Sequence, residues 1–489
     1  MTPARGEALH LSPARTALVL GSIVVISAVL RLHSLGAASL LIDEAASDLF
    51  ATMPFREFLH TLWHYQGNMT LYYFMLRAWV HIGDSEFMLR LPSMIFGVLT
   101  VVATYALAAR LFGRLTGLVA AALLSVHGYH IAFSQMARSY SLLLFLLLLT
   151  MYLLVSAMES QSTWHWTLFT VAAALCVYAH IFAVLVLAAF AVAIILPKPF
   201  QMEGRTMFFV AVLFEHLVAP MALFVLLHHS DQLDFLKPTW TDFNGFLHLL
   251  TGQGGTFLTV LYLTLCVFAF VPPSARSEKE GWALRTLGLW LVLPPLLSLA
   301  ATPIKPLFAP YMLVMCVPGL IILAARGIAN LLNASRAQRL AAAAACVLVI
   351  ALSVVSMQRP VKYEYVPRAD WRSAVAYLLE HQEPGDGVIF YIPNNYCYRY
   401  YVRRAEDERH VTRAPDTLYP PAQWQPLSPE EVNLVTASSK RVWLVQFLDF
   451  VHPERLAIVS STLDQHFRLI ERHVVPGQEP VTLDLYDQP

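Results

Sequence analysis

The sequence predicts a polytopic α-helical membrane protein with a small α/β domain at its C-terminal end. Three observations support this fold class. Hydrophobic residues make up 57% of the 489 residues and charged residues only 13%, roughly half the charged share usual in soluble domains. Apolar runs long enough to cross a bilayer recur as far as residue 357. Beyond that point the chain alternates between amphipathic and β-rich stretches.

Eleven membrane spans are predicted within a membrane domain of residues 1–357. A spanning helix needs about 20 mainly apolar residues, with ~17 as a practical minimum. The apolar run from Trp164 to Leu196 is too long for one crossing, so we place a reversal at "YAHIF" (178–182). The predicted spans are 15–35, 91–112, 115–133, 138–158, 164–179, 180–196, 206–228, 257–272, 284–301, 308–325 and 340–357.

Basic residues in the short loops predict the orientation, because lysine and arginine favour the cytoplasmic side. With the N-terminus inside, all inside segments but one are basic, whereas the short outside loops hold isolated cations: Arg138, Lys237 and Lys305. The first outer loop (36–90) and everything after residue 357 then face outward. Residues 1–40 also resemble a signal peptide, and cleavage there would leave Asp43 on the same side. Ala/Arg-rich inside loops favour a bacterial inner membrane, with the periplasm outside.

The C-terminal segment, residues 358–489, is predicted to form a water-soluble α/β domain. An amphipathic helix follows Asp370 and presents Trp371, Val375 and Leu378 on one side. After a Pro-Gly break come a β-rich run, a buried strand at "RVWLVQFLD" (441–449) and a second helix at "RLAIVSSTLDQHF".

Charge and cysteine content give no support for a nucleic-acid-binding protein or for a disulfide-stabilised one. A net charge of zero gives no indication of a nucleic-acid partner. Of the five cysteines only Cys397 lies in a polar region, so no disulfide framework is predicted.

The first outer loop is far too long for a simple connector. It opens with "SLLIDEAASDLF", which holds Asp43, Glu44 and Asp48 directly after the first span. An amphipathic helix at "MPFREFLHTLWHY" and a short apolar segment at "LYYFMLRAWVHIG" (71–83) are predicted to lie in the plane of the membrane surface. A carboxylate at a membrane edge beneath two such helices suits a substrate with a lipid tail and a polar head.

Six stretches in this order resemble the GT-C superfamily of polyprenyl-phosphate-sugar-dependent glycosyltransferases. The resemblance is strongest to the branch of RgtA/B/C/D-like lipopolysaccharide transferases, protein O-mannosyltransferases and the lipid-A aminoarabinose transferase. It covers residues 15 to about 325 and the start of the tail. The stretches are "LIDEA", "GDSEFMLRLPSMIFGVL", "RLFGRLTGLVAAALL", "FSQMARSYSLLL", "YAHIFAVL" and "DWRSAVAYLLEHQEPGD".

The resemblance implies a direct, inverting transfer in which an acceptor hydroxyl attacks the anomeric carbon and the lipid phosphate leaves. Asp43 matches the family's catalytic acid position and is predicted to be the general base, with Glu44 as its partner or as an alternative base. The structural alternative for Asp43 is the N-cap of a helix beginning at Glu44. Asp48 would lie one turn after Glu44 on such a helix and is expected to be solvated.

Six further residues are predicted to bind the donor phosphate or sugar, because cations must meet the charge that grows on the leaving phosphate. All but His180 also have a structural interpretation: headgroup contact for Arg138, an exposed loop position for Lys305, interfacial positions for the two tyrosines, and a pairing of Arg90 with Glu86 that we favour. The set is Arg138, Lys305, Tyr311, Tyr140, His180 and Arg90.

No cofactor is predicted, although a divalent metal is kept as an alternative. "HGYH" (127–130) and "HHSD" (228–231) supply histidines, but neither has convincing ligand spacing. Glu215 and His216 lie near the middle of a span, where an ionisable residue deserves a functional hypothesis, and internal pairing is the simpler account.

The competing functions are a lipid or glycolipid flippase and a non-catalytic GT-C-like scaffold. A flippase would gather polar groups at the midplane, where only Glu215 is found, and no internal repeat is seen. Two stretches depart from the family pattern, "QGNMTLYY" (66–73) and "FAPYM" (308–312).

The partners that the resemblance implies are the bilayer, a polyprenyl-phosphate hexose or pentose of unspecified identity, and a glycan, lipid or protein acceptor.

Overall fold

A computed structural model gives the structure of most of the chain. It describes residues 12–195, 202–228, 239–271, 277–305, 307–357, 369–390, 396–409, 417–418, 428–437, 439–447 and 453–489. The chain divides into two compact units. The first, here called the span unit, comprises Met1–Leu35, Pro54–Trp79 and Arg90–Val361. The second, the tail unit, comprises Gly36–Met53, Val80–Leu89 and Lys362–Pro489.

Helices dominate the chain as far as residue 357, interrupted by the 3₁₀ turns Gly67–Met69 and Pro310–Cys316. In chain order they are α1 (Pro13–Leu32), α2 (Ile42–Thr52), α3 (Phe55–His64), α4 (Thr70–Trp79), α5 (Glu86–Phe112), α6 (Arg114–Ser125), α7 (Gly128–Ser134), α8 (Tyr140–Ser160), α9 (Thr163–Ala179), α10 (Ala183–Ile195), α11 (Gly204–Leu227), α12 (Trp240–Leu250), α13 (Thr256–Ala269), α14 (Glu278–Ala301), α15 (Val317–Leu332) and α16 (Arg336–Ser356).

The chain is a multi-pass membrane protein, but the predicted count of eleven spans is not confirmed. Among the described residues, seven helical stretches are long and apolar enough to cross a bilayer: α1, α5, α8, α11, α14, α15 with its preceding 3₁₀ turn, and α16. The pair α6–α7, bent by 67°, adds an eighth if it counts as one broken span. The predicted spans 164–179, 180–196 and 257–272 correspond to α9, α10 and α13, which have 17, 13 and 14 residues and are shorter than each of those seven stretches.

The predicted reversal inside the long apolar run is confirmed. Helix α9 ends at Ala179 and α10 begins at Ala183, so the chain turns at His180–Phe182. The two predicted helices of the first outer loop are present as α3 and α4, and the rings of Phe58 and Phe74 meet edge to face at 5.1 Å to join them. Their location at a membrane surface stays a prediction.

The tail unit is built on a five-stranded mixed sheet. Its elements are α17 (Trp371–His381), β1 (Gly387–Phe390), α18 (Tyr396–Arg409), β2 (Thr417–Leu418), α19 (Pro429–Thr436), β3 (Arg441–Gln446), α20 (Pro453–Leu463), β4 (Arg468–Val475) and β5 (Val481–Asp487). The strand order is β2-β1-β3-β5-β4. Strand β1 runs parallel to β2 and β3, while β5 runs antiparallel to β3 and β4. The predicted α/β domain, with its two helices and central strand, is therefore confirmed.

The core of the tail unit explains why β3 reads as a continuous apolar run. Val442 and Leu444 point into a cluster with Val459 and Leu463 of α20. Trp443 is also fully buried, and it points to the opposite face because side chains alternate along a strand. Both faces of β3 are therefore covered, which requires apolar residues at successive positions.

Candidate functional site

Helix α2 presents Asp43 in its first turn. The helix begins at Ile42, and Glu44 accepts the Leu41 backbone N–H on Oε2 at 2.9 Å. Glu44 is fully buried and Asp43 is half-buried. Asp43 is therefore not the N-cap, and the start predicted at Glu44 is two residues late. Both carboxylates lie at the helix N-terminus, where the exposed N–H groups favour negative charge.

Helix α18 binds the backbone N–H and carbonyl of Leu40, two residues before α2 begins. The Tyr401 hydroxyl accepts the Leu40 N–H at 2.9 Å, and the Cys397 thiol donates to the Leu40 carbonyl at 3.6 Å. Burial raises the pKa of Cys397 well above its ordinary value, and the charges of Glu44 and Asp43 raise it further. Cys397 therefore stays a thiol that can donate, and the start of α2 is fixed by the tail.

An ion cluster further along α2 joins the same elements. Arg403 Nη2 lies 2.9 Å from Asp48 Oδ2 and 2.9 Å from Asp84 Oδ2, and Arg404 Nη1 lies 2.8 Å from Asp84 Oδ1. Asp48 is only 1% exposed, so the expectation that it is solvated is wrong. These ion pairs join two segments of the first outer loop to helix α18 within the tail unit.

The ion cluster around Asp48 should make the stability of the tail unit depend on pH. Burial raises the pKa of Asp48 from 3.8 to about 6, against the opposing pull of Arg403. Because the folded pKa exceeds the unfolded one, the stabilising contribution is complete below pH ~3.8 and is lost as pH rises through about 6. It amounts to about 3 kcal/mol, of which nearly half is expected between pH 7 and pH 5.

Hydrogen exchange of the α2 amides, measured by mass spectrometry and corrected for intrinsic rates, checks this expectation. Opening should become about tenfold rarer from pH 7 to pH 5 in the wild type. The Asp48→Asn variant should lose that slope. A slope that survives the substitution would assign the effect to another group.

A second group of predicted residues meets in the span unit, around the segment that joins α7 to α8. Arg138 is half-buried and its Nη1 donates to the Tyr73 hydroxyl at 3.3 Å. The Ser93 hydroxyl of α5 donates to the Arg138 carbonyl at 3.0 Å. Tyr73 lies in "QGNMTLYY", the stretch that departs from the family pattern. We call Tyr73, Arg138, Ser139, Tyr140 and His180 the Arg138 cluster.

Ser139 and His180 of the Arg138 cluster each have a buried polar atom that lacks a hydrogen-bond partner among the described residues. His180 Nδ1 accepts the Phe182 N–H at 3.2 Å, so in the neutral ring Nε2 carries the proton. That Nε2 and the Ser139 hydroxyl are both buried without a partner in the described part of the chain. The His180 ring lies 5.8 Å from Tyr140 and within reach of the Arg138 charge. Since buried donors are normally satisfied, the cluster is suited to an anionic oxygen ligand.

The backbone turn that carries His180 is itself anchored by the first outer loop. Asn68 Oδ1 accepts the Ile181 N–H at 3.1 Å. Asn68 belongs to the 3₁₀ turn Gly67–Met69, which leads into α4 and hence to Tyr73. The departing stretch "QGNMTLYY" therefore holds both sides of the Arg138 cluster. Sequence reasoning missed Asn68, Tyr73 and Ser139 as individual residues, although it identified the stretches in which they lie.

Arg31 supports the same region and was not predicted. It is fully buried near the end of α1, and its guanidinium donates to Ser27 Oγ at 2.7 Å, the Ser125 carbonyl at 3.1 Å and Ser134 Oγ at 3.2 Å. It also lies 2.6 Å from His130 Nδ1. These contacts clamp the bend between α6 and α7. An arginine inside an apolar run is the sequence signal that would have found it.

The histidines of "HGYH" make hydrogen bonds within the span unit. His127 Nδ1 accepts the His130 N–H at 3.2 Å, and its Nε2 lies 3.1 Å from the Leu250 carbonyl. In the part of the chain that the structure describes, no group of three His, Cys, Asp or Glu side chains is placed to hold a metal. Of "HHSD", only His228 is among the described residues.

The remaining predicted residues lie in other surroundings of the span unit. Arg90 is buried and its Nη1 donates to the Leu35 carbonyl at 2.9 Å. Lys305 follows the end of α14, and Tyr311 lies in the 3₁₀ turn Pro310–Cys316, which packs against α8. Lys237 lies outside the described residues.

Comparisons with known proteins agree with the predicted resemblance. A family model described as dolichyl-phosphate-mannose-protein mannosyltransferase matches residues 70–225, a segment that includes the whole Arg138 cluster. No curated protein matches the sequence.

Solved structures match nearly the whole chain. ArnT from Cupriavidus metallidurans in the apo state has a TM-score of 0.58 at 13% identity, covering 97% of this chain and 98% of that one. The same protein bound to undecaprenyl phosphate has a TM-score of 0.55 at 11% identity, with the same coverage. The Archaeoglobus fulgidus oligosaccharyltransferase in the apo form has a TM-score of 0.57 at 12% identity, covering 92% of this chain and 71% of that one. The predicted GT-C fold is thereby confirmed.

Proposed function

We propose that this protein is a membrane glycosyltransferase that moves a sugar from a polyprenyl-phosphate carrier to an acceptor. The observation that carries the proposal is the Arg138 cluster, in which a guanidinium and two buried, unsatisfied donors adjoin a bend between helices. Guanidinium groups suit phosphate oxygens in both charge and geometry. A structural neighbour binds undecaprenyl phosphate, and the matching family model is named for a dolichyl-phosphate sugar.

The proposed reaction is a single displacement at the anomeric carbon. The acceptor hydroxyl oxygen forms the new bond to that carbon while the bond to the phosphate oxygen breaks, and the leaving phosphate keeps the electron pair. Asp43 takes the hydroxyl proton as general base. Arg138, with the Ser139 hydroxyl and His180 Nε2–H, stabilises the charge that grows on the phosphate. Attack from the opposite side inverts the anomeric configuration.

The two carboxylates of α2 have different roles in this proposal. Glu44 is fully buried and already accepts the Leu41 N–H, so it holds the first turn of α2 in place. Asp43 is the half-buried member of the pair and is the one assigned to the proton. Tyr140, Arg90, Lys305 and Tyr311 are proposed as further donor-binding residues.

The site is proposed to face the periplasm of a bacterial inner membrane. Basic inside loops support this orientation, and a glycan, lipid or protein of the cell envelope would be the acceptor. The flippase alternative rested on Glu215, which is exposed on the surface of α11 and so does not line an interior path.

The test is sugar transfer by the purified protein in nanodiscs, supplied with synthetic polyprenyl-phosphate sugars and an envelope extract as acceptor. Transfer releases free polyprenyl phosphate, which mass spectrometry detects. A matched control donor carries a methylene group in place of the scissile oxygen and should release nothing. Movement of a fluorescent lipid phosphate across vesicles without bond cleavage would indicate a flippase instead. If the protein neither transfers sugar nor moves lipid with any donor, a non-catalytic scaffold becomes the better-supported function.

A further inference from the structure

Helix α11 carries two ionisable side chains on its exposed face, near its middle. The opposite face packs on the protein: Met221 is 4% exposed, and the Leu217 carbonyl accepts the Tyr178 hydroxyl at 2.9 Å. Glu215 and His216 are both exposed. Glu215 is the twelfth of the 24 residues of a helix long enough to cross a bilayer. In a membrane these two side chains would therefore project toward lipid, where ionisable groups are costly unless they find a partner.

The hydrogen-bonding capacity of the pair is complementary. His216 Nδ1 lies 2.7 Å from the Val212 carbonyl. A carbonyl can only accept, so Nδ1 carries the proton and Nε2 of the neutral ring is an acceptor. A protonated Glu215 offers an O–H donor, and an ionised Glu215 pairs with a protonated ring. Within the described residues neither Glu215 nor His216 Nε2 has a hydrogen-bond partner, so both are available to another chain.

We propose that two copies of this chain associate through α11, with Glu215 of each copy bound to His216 of the other. Consecutive helical residues project about 100° apart. When a two-fold axis runs along two parallel helices, residues on either side of the contact line exchange places. Glu215 of one copy then faces His216 of the other, and the reciprocal pair forms on the other side of the line.

Membrane topology favours a second copy over an unrelated partner. Both copies cross in the same direction, so their α11 helices are parallel and the two residues lie within about 1.5 Å of the same depth. Ala219, one turn after Glu215, is small and exposed, which permits close approach of the helices. Val212, one turn before His216, lies on the same face of α11, midway in angle between Glu215 and His216. This inference is independent of the proposed glycosyl transfer.

Cysteine cross-linking in native membranes tests the position of the interface. A Val212→Cys variant should form disulfide-linked dimers on mild oxidation. The matched control is Val347→Cys on α16, whose side chain is 67% exposed and which should cross-link no more than the unmodified chain. Equal cross-linking at both positions, or a disulfide from Val212→Cys to a different membrane protein, would overturn the proposal.

Exchanging the two side chains tests the reciprocal pairing. In nanodiscs or detergent, Glu215→Leu should weaken dimerisation by at least about tenfold, since two hydrogen bonds are lost and leucine suits the bilayer. Glu215→His alone and His216→Glu alone should do the same. The double variant E215H/H216E restores both pairs, and its dimerisation constant should lie within about threefold of the wild type. A monomeric wild type, an undiminished dimer of Glu215→Leu, or a double variant as weak as the single ones would contradict the proposal.

Discussion

Replacing Asp43 with asparagine is expected to lower the rate of sugar transfer by about 10²–10⁴-fold. The substitution is nearly isosteric and removes only the ability to take a proton from the acceptor hydroxyl. Because Glu44, not Asp43, binds the Leu41 N–H at the start of α2, the helix should keep its position. Donor binding, measured with the methylene-bridged analogue, should stay at the wild-type level.

Two variants isolate this effect. Asp464→Asn changes an exposed carboxylate of the same unit and should transfer sugar at the wild-type rate. Glu44→Gln keeps an amide oxygen for the Leu41 N–H and should retain most of the activity. If Glu44→Gln is inactive and Asp43→Asn is not, the base has been assigned to the wrong carboxylate.

Replacing Arg138 with glutamine is expected to lower transfer by about 10²–10³-fold, the usual effect of losing one group that stabilises developing charge. Donor binding should also weaken, because the ground-state phosphate is already negative. Arg138→Lys keeps the positive charge but lacks the planar guanidinium, so its transfer rate should lie between those of the wild type and Arg138→Gln. Glutamine can still bond to the Tyr73 hydroxyl, so the surrounding fold should persist.

Single-turnover rates with saturating donor separate chemistry from binding in these variants. Arg336→Gln, at an exposed arginine of the same unit, provides the matched control and should behave as the wild type. An Arg138→Gln variant that binds and turns over donor normally would show that Arg138 only contacts lipid headgroups.

Local periodicity made most of the fold predictable. Long apolar runs predicted the seven stretches that, among the described residues, are long enough to cross a bilayer. The length of one run alone required the reversal at His180–Phe182. The amphipathic pattern after Asp370 and the apolar run at β3 located the tail domain. The predicted number of spans is not confirmed, because α9, α10 and α13 are apolar yet shorter than those seven stretches.

Contacts between residues far apart in the chain could not be predicted from the sequence. Asp48 looked solvated because its partner, Arg403, lies 355 positions away and no local pattern joins them. Tyr73 and Ser139 were hidden for the same reason, since only the packing of α4 near the α7–α8 connection gives them a role. Asp43 and Arg138 were predicted from the resemblance of their surrounding stretches, which indicates positions and not contacts.

A direct displacement at the anomeric carbon determines the stereochemistry of the product, so the configuration of the transferred sugar is the first property to measure. A donor of defined anomeric configuration is turned over once by the wild-type protein, and NMR of the product reads the coupling at the anomeric carbon. We expect the anomeric configuration to be inverted in the product. A retained configuration, or release of polyprenyl phosphate without a new glycosidic bond, would contradict it.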